Sequence, residues 1–230
     1  MENSEEKSQL NLDVKLEETT HKVEQFYHNN KQNIFRGLIG LVVLIGAYAG
    51  FKSFYLEPKE KEAQSAMFQA QNWFEKDSFA VALSGQGEAM GFDQIAENYG
   101  LTKAGNLAHY YAGVCCMKTG KFDAAIEHLE SFSSENALVG PIAAGLLGDA
   151  YVENGNLDKA GSQYMKAGNL NKNKITSPIF FKKAGMVFEE TKEYKKAVDA
   201  YEKIKFDFTD SQEAADIDKY IARASAAASN

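Results

Sequence analysis

Any chemistry in this chain would rest on four histidines, two cysteines and one glycine-rich stretch. His21, His28, His109 and His128 show no metal-ligand spacing with the cysteines or with carboxylates. Cys115 and Cys116 are adjacent, and neighbours on a helix cannot reach disulfide geometry, so the pair is expected as small buried side chains. The stretch "SGQGEAMG" lacks a following Lys-Ser/Thr and a preceding strand, which makes it a loop leading to a new helix, Phe92 to Tyr99, rather than a phosphate cradle. No Gly-x-Ser-x-Gly, His-Glu-x-x-His or dinucleotide fingerprint is present. The expectation is a protein with no enzymatic activity, no cofactor and no metal.

Net charge narrows the partners. The formal value is −7, and from Ser53 onward 25 acidic residues face 19 basic ones with no basic patch. Phosphate neutralisation needs clustered cations, so no nucleic acid is expected as a partner.

One stretch, Gly37 to Phe51, carries no charged or strongly polar side chain, and it is bounded by Arg36 and Lys52. Taken with its apolar flanks it runs from Ile34 to Leu56, about the 20 residues a bilayer core requires, with two cations placed to snorkel to the interfaces. Tyr55 adds an interfacial aromatic. Ala47-Tyr48-Ala49 fits an export-signal cleavage pattern, but the preceding region is long and acid-rich, and apolar character continues beyond it. An uncleaved membrane anchor is expected. Lys22, Lys31 and Arg36 on one side balance Lys52, Lys59 and Lys61 on the other, so orientation rests on the long C-terminal domain, which can translocate whatever its charge; the N-terminus is expected in the cytoplasm. Within the span, Gly46 and Gly50 form a small-xxx-small pair for transmembrane packing. Ahead of it, Leu12, Leu16, Val23 and Phe26 share one helical face, giving a short amphipathic helix or a tail that becomes one on binding. The expected organisation is a cytoplasmic tail over 1–33, an anchor over 34–56 and a repeat domain over 57–230.

The repeats emerge on lining up "AGVCCMKTGKFDAAIEHL", "LGDAYVENGNLDKAGSQY" and "AGMVFEETKEYKKAVDAY". Gly113, Gly148 and Gly185 share one column, and Ala125, Ala160 and Ala197 another. Leu129, Tyr164 and Tyr201 form a third, and Phe122, Leu157 and Tyr194 a fourth. The spacings of 35 and 37 residues lie close to the helix-turn-helix period of tetratricopeptide units. Small residues let paired helices approach, larger ones fill between neighbours, and Gly120 and Gly155 end first helices. The middle unit, with Leu147, Gly148, Tyr151, Ala160, Tyr164 and Ala167, matches best. A weaker copy precedes these, with Ala70, Trp73, Phe79 and Ala82 in the corresponding places. Thr209 with Gln212 predicts a capping box opening a last helix through Ala214, Ile217 and Ile221, which shields the end of the stack. His109 and His128 fall on the two helices of one unit, placed for a structural pair. The fold class is therefore all-α: a single N-terminal transmembrane helix, then a tetratricopeptide-repeat solenoid with a C-terminal capping helix.

First helices line the concave groove of such a stack. The repeat register carries Met67, Phe74, Leu107, Tyr110, Val114, Met117, Ile142, Leu146, Val152, Ile179 and Met186 toward it, with a share of them expected to be buried between helices. Methionine-containing apolar surfaces repack around varied partners, which suits loosely held extended or unfolded chain. Recurrent Lys, Arg and Asn of a carboxylate clamp are missing, since Lys118 and Lys182 are matched by Asp149, Glu153, Glu189 and Glu190.

One anchor followed by a degenerate and then several regular units resembles the YfgM-like family of bacterial proteins. The resemblance is carried by "LEPKEKEAQSAMFQAQNWFEKDSFAVAL" and "TKAGNLAHYYAGVCCMKTGKFDAAIEHL" and extends from about Ile34 to the end. It implies an inner-membrane protein with periplasmic repeats, associated with the SecYEG translocon and a PpiD-like membrane chaperone, that assists exported unfolded polypeptides. The alternative is a membrane-tethered scaffold for another cell-envelope assembly.

Overall fold

A computed structural model describes residues 29–33 and 35–229 of the chain. The amphipathic stripe from Leu12 to Phe26 lies outside the described residues. The chain divides into two compact units, Met1–Glu57 and Pro58–Asn230.

In the first unit, residues 29–33 and α1 (residues 35–51) are helical and lead into a π-helical turn, Lys52–Leu56, where the Phe51 and Tyr55 rings stack at 5.2 Å. The apolar helix is long enough to cross a membrane, and its large side chains, from Phe35 to Tyr48, are all exposed. A Cβ added at Gly46 or Gly50 meets nothing within 4 Å, so both glycines face open space.

The second unit is a stack of antiparallel helix pairs. Its elements are α2 (Glu57–Glu75), α3 (Phe79–Ser84), β1 (Gly85–Gln86), β2 (Ala89–Met90), α4 (Phe92–Tyr99), α5 (Lys103–Lys118), α6 (Phe122–Ser131), α7 (Val139–Glu153), α8 (Leu157–Asn169), α9 (Ser177–Glu190), α10 (Tyr194–Asp207) and α11 (Ile217–Ala228). From α5 onward each helix packs on the next.

One turn is built four times. Asp77, Gly120, Gly155 and Lys192 all have left-handed φ, at 55°, 73°, 77° and 62°, two residues ahead of the column Phe79, Phe122, Leu157 and Tyr194. In each, the amide one residue further on donates back to the closing turn of the first helix: Ser78 to the Trp73 carbonyl, Lys121 to Cys116, Asn156 to Tyr151 and Glu193 to Phe188, at 2.7–3.0 Å. This six-to-one bond satisfies a carbonyl that the helix end would leave orphaned. The same geometry thus includes the degenerate first copy, in which α2 is the first helix and Ala70 holds the small-residue column.

Small residues set the helix separations. An added Cβ would lie 2.6 Å from the Leu129 side chain at Gly113, 2.6 Å from the Tyr164 ring at Gly148 and 2.2 Å from the Tyr201 ring at Gly185. Ala125, Ala160 and Ala197 are fully buried on the facing helices. The core runs continuously from Ala63 to Ala224 as stacked layers rather than one central cluster.

Two local expectations give way. The glycine-rich stretch, expected as a plain loop in an all-helical chain, forms an antiparallel hairpin with Gly85 opposite Met90 and Gln86 opposite Ala89. It lengthens the step from Asp77 to Gly120 to 43 residues and splits the second helix of the first pair into α3 and α4. The cap of the final helical segment is Ser211, whose Oγ accepts from the Ala214 amide at 3.2 Å, and not Thr209. It opens a 3-10 turn, Gln212–Asp216, before α11 begins.

Candidate interaction surface

The first helices α2, α5, α7 and α9 carry the residues that periodicity directs to a groove. Ile142, Ile179 and Met186 are exposed at 41%, 39% and 52%, an apolar ledge across α7 and α9. Leu107, Tyr110, Met117, Leu146 and Val152 are half-buried, with one face on the core and one toward solvent, and Val114 is half-buried as well. Met67 is only 4% exposed and belongs to the core. Phe74 is engaged by the rings of Phe79, Phe92 and Tyr111 at 5.1–6.1 Å, so it holds the first pair against α5. Periodicity puts a residue on a helix face; whether the next helix covers it depends on inter-pair spacing, which the hairpin changes around α2.

The charged residues of these helices form a ladder that sequence reasoning missed. Lys183 pairs with Asp149 at 2.6 Å, Asp216 with Lys182 at 2.9 Å and Arg223 with Glu189 through two bonds at 2.5 and 2.8 Å, each partner 34 residues from the other. Tyrosines of the third column complete it: Tyr164 donates to Asp149, and Tyr201 donates to Glu189 at 2.9 Å. Burial would push Glu189 upward, but the Arg223 and Tyr201 hydrogen bonds outweigh it and hold the carboxyl below its usual range. Burial and the carboxylate partners together push both tyrosine hydroxyls up, so each stays a donor. Lys182 and Arg223 also lie over the Tyr220 ring at 4.6 and 4.8 Å. The one signal available was the recurrence of opposite charges at this offset. The ladder ties successive first helices together and leaves the exposed ledge apolar, because Lys182, Lys183 and Arg223 are committed to carboxylates within the stack.

The titratable pairs elsewhere are structural. Cys115 and Cys116 are buried, and burial pushes their thiols up to about 12 and about 11, so neither is a thiolate at neutral pH. His109 Nδ1 lies 3.2 Å from His128 Nδ1, while His128 Nε2 meets Asp93 of α4 at 3.3 Å, which links α4, α5 and α6. One imidazole of that pair donates and the other accepts, so the two rings cannot both be imidazolium without breaking the bond. Among the described residues no group of three or more His, Cys, Asp or Glu is placed to hold a metal.

Turns repeated in register, glycine against aromatic between paired helices and charge pairs at a fixed offset define a tetratricopeptide-type helical repeat stack. The family model for the tetratricopeptide repeat matches residues 143–174, all but the first turn of α7, then α8 and the loop beyond. The crystal structure of a substituted kinesin light chain-like protein with nearly identical TPR-like repeats, from Podosopora anserina, is similar at 14% identity with a TM-score of 0.52, covering 74% of this chain and 88% of that one. Comparison with curated proteins gives no match. The likeness at that identity is one of fold, and a stack of this type is a scaffold for protein–protein interaction.

Proposed function

We propose that this protein is a non-enzymatic, membrane-anchored accessory of protein export that holds polypeptide segments, or a partner chaperone, on the ledge of its first helices. The observation that carries the reading is the exposure of Ile142, Ile179 and Met186 on successive repeats, while the neighbouring charges are paired with one another between repeats. Large exposed apolar groups in a row are characteristic of interaction sites. The apolar helix α1 supports an anchor over residues 34–56, with the N-terminus in the cytoplasm and the repeats over 57–230 in the periplasm of a bacterial inner membrane. Resemblance to the YfgM-like family supplies the particular partners: SecYEG, a PpiD-like chaperone and newly exported chains.

The test is in vivo photo-crosslinking from position 179, with position 192 on an exposed turn as the control. Translocon subunits together with varied exported chains at 179, and their loss when Tyr110, Met117 and Met186 are replaced by serine, are the expected outcome. A single defined envelope complex without translocon subunits would instead make the protein a dedicated scaffold for that assembly.

A further inference from the structure

The middle repeat lacks a ring that its neighbours have. Four residues before the glycine column stand His109, Ala144 and Phe181. Phe181 is fully buried, its ring filling the space over Gly168 and lying 6.0 Å from the Phe208 ring. His109 pairs instead with His128 on the second helix of its own unit, with 3.2 Å between the two Nδ1 atoms. At Ala144 that space is open: a cleft of about 330 Å³ is walled by Leu129, Phe132, Ala144, Leu147, Tyr151 and Leu170.

Two features keep it open. The helix before it, α6, ends at Ser131, six residues past Ala125, whereas α8 and α10 continue nine and ten residues past Ala160 and Ala197. The chain beyond is then held extended: the Asn106 side chain both donates to the Ser133 carbonyl, at 2.8 Å, and accepts from the Ser133 amide, at 3.1 Å. Phe132, in the wall of the cleft, is held by packing on Tyr110 with ring centroids 5.3 Å apart.

We propose that this cleft is a second binding site, distinct from the ledge, which receives one aromatic side chain of a bound polypeptide, a tryptophan or tyrosine. Its volume is near the lower end of the range for small-ligand sites, about 300 to 1,000 Å³, which suits one ring and not a cofactor. Phe181 in the following repeat shows that a planar ring fits between such helices. Glu130, which lines the cleft together with Gln163 and Lys166, accepts from the Tyr151 hydroxyl through Oε1, and its Oε2 has no hydrogen-bond partner among the described residues, so a carboxylate oxygen is available to an indole N–H or phenol O–H. An aromatic anchor with a polar edge in a preformed pocket is the usual centre of a protein–protein contact.

The experiment is a methyl NMR titration of the full-length chain in nanodiscs with N-acetyl-tryptophanamide, N-acetyl-leucinamide and a short tryptophan-containing peptide. Saturable shifts of the Leu129, Ala144, Leu147 and Leu170 methyls are expected with the tryptophan probes, at least about tenfold tighter than with the leucine one. The peptide should bind more tightly than the free amide. Ala144→Phe, which supplies from within the ring found at 181, should abolish the shifts and raise the melting temperature; Ala144→Met fills the cleft partly and serves should the phenylalanine variant fail to fold. Absence of saturable shifts in the unsubstituted chain, equal affinity for the leucine probe, or unchanged binding by a folded Ala144→Phe chain each overturns the proposal, as does an amide that binds while the peptide does not.

Discussion

Replacing Gly185 by alanine tests whether the glycine column sets the helix spacing. The new Cβ would lie 2.2 Å from Cε1 of Tyr201, where ordinary contact begins near 3.4 Å, so the ring must retreat by more than 1 Å. Tyr201 is fully buried, and overpacking of this kind costs about 1–3 kcal/mol. Retreat also strains the Tyr201 bond to Glu189, and a hydrogen bond to a charged group is worth about 1.5–3 kcal/mol. Against these stands about 1 kcal/mol gained by alanine over glycine inside a helix. The net is a loss of about 3 kcal/mol, which for a domain of this size lowers the melting temperature by about 6–12 °C. Gly113→Ala makes the contrast. Its Cβ would lie 2.6 Å from Cγ and 2.8 Å from Cδ2 of Leu129, a side chain that can change rotamer where a planar ring cannot, and about 1 kcal/mol of off-rotamer strain cancels the helix gain. Gly148→Ala, against the Tyr164 ring at 2.6 Å, falls between. Thermal melts of the full-length chain in detergent, followed by circular dichroism, measure the series. Adding Tyr201→Leu to Gly185→Ala reproduces the alanine–leucine pairing of the Gly113→Ala variant and should cost less than the sum of the two changes. Equal losses at 113 and 185, or strict additivity in the double variant, would refute the spacing argument.

The left-handed turn at Lys192 stands where two other repeats use glycine, so Lys192→Gly should stabilise the fold by about 1 kcal/mol and raise the melting temperature by about 2–4 °C; a decrease would show that the lysine side chain contributes to packing. Both His109 and His128 sit below the usual imidazole value, chiefly because burial disfavours the charged ring, so unfolding takes up protons. Stability present above the unfolded value of about 6.5 is therefore lost as the pH falls through it. The melting temperature should decline between about pH 7.5 and pH 5.5, less steeply in His109→Phe, and a rise on acidification would overturn the neutral-pair assignment. The depressed Glu189 carboxyl acts only below its ordinary value of 4.5, outside that window.

What the sequence disclosed and what it hid follow from how far each feature reaches along the chain. Gly113, Gly148 and Gly185 face Leu129, Tyr164 and Tyr201 within a single helix pair, so size complementarity is written at a fixed short offset and periodicity finds it. The hairpin at Gly85–Met90 has strands of only two residues, too short for alternation to register. Ser211 and Thr209 both have a partner three residues on, and which one caps depends on where α10 releases the chain, a tertiary matter. The ladder joins residues 34 apart, across the boundary between repeats, and its acids and bases look like ordinary solvated charges until the stacking angle brings them together. That same reach bears on the proposed interaction surface. Because Asp149 with Lys183, Asp216 with Lys182 and Glu189 with Arg223 satisfy one another between repeats, charge serves cohesion, and the proposed recognition falls to apolar shape: the ledge of Ile142, Ile179 and Met186, and the cleft where Ala144 leaves a ring's place unfilled. A stack held together in this way can change Ile142 or Ile179, which share a column that carries no ladder charge on α7 or α9, without disturbing its own joints, whereas Met186 shares its column with Asp149 and stands closer to them.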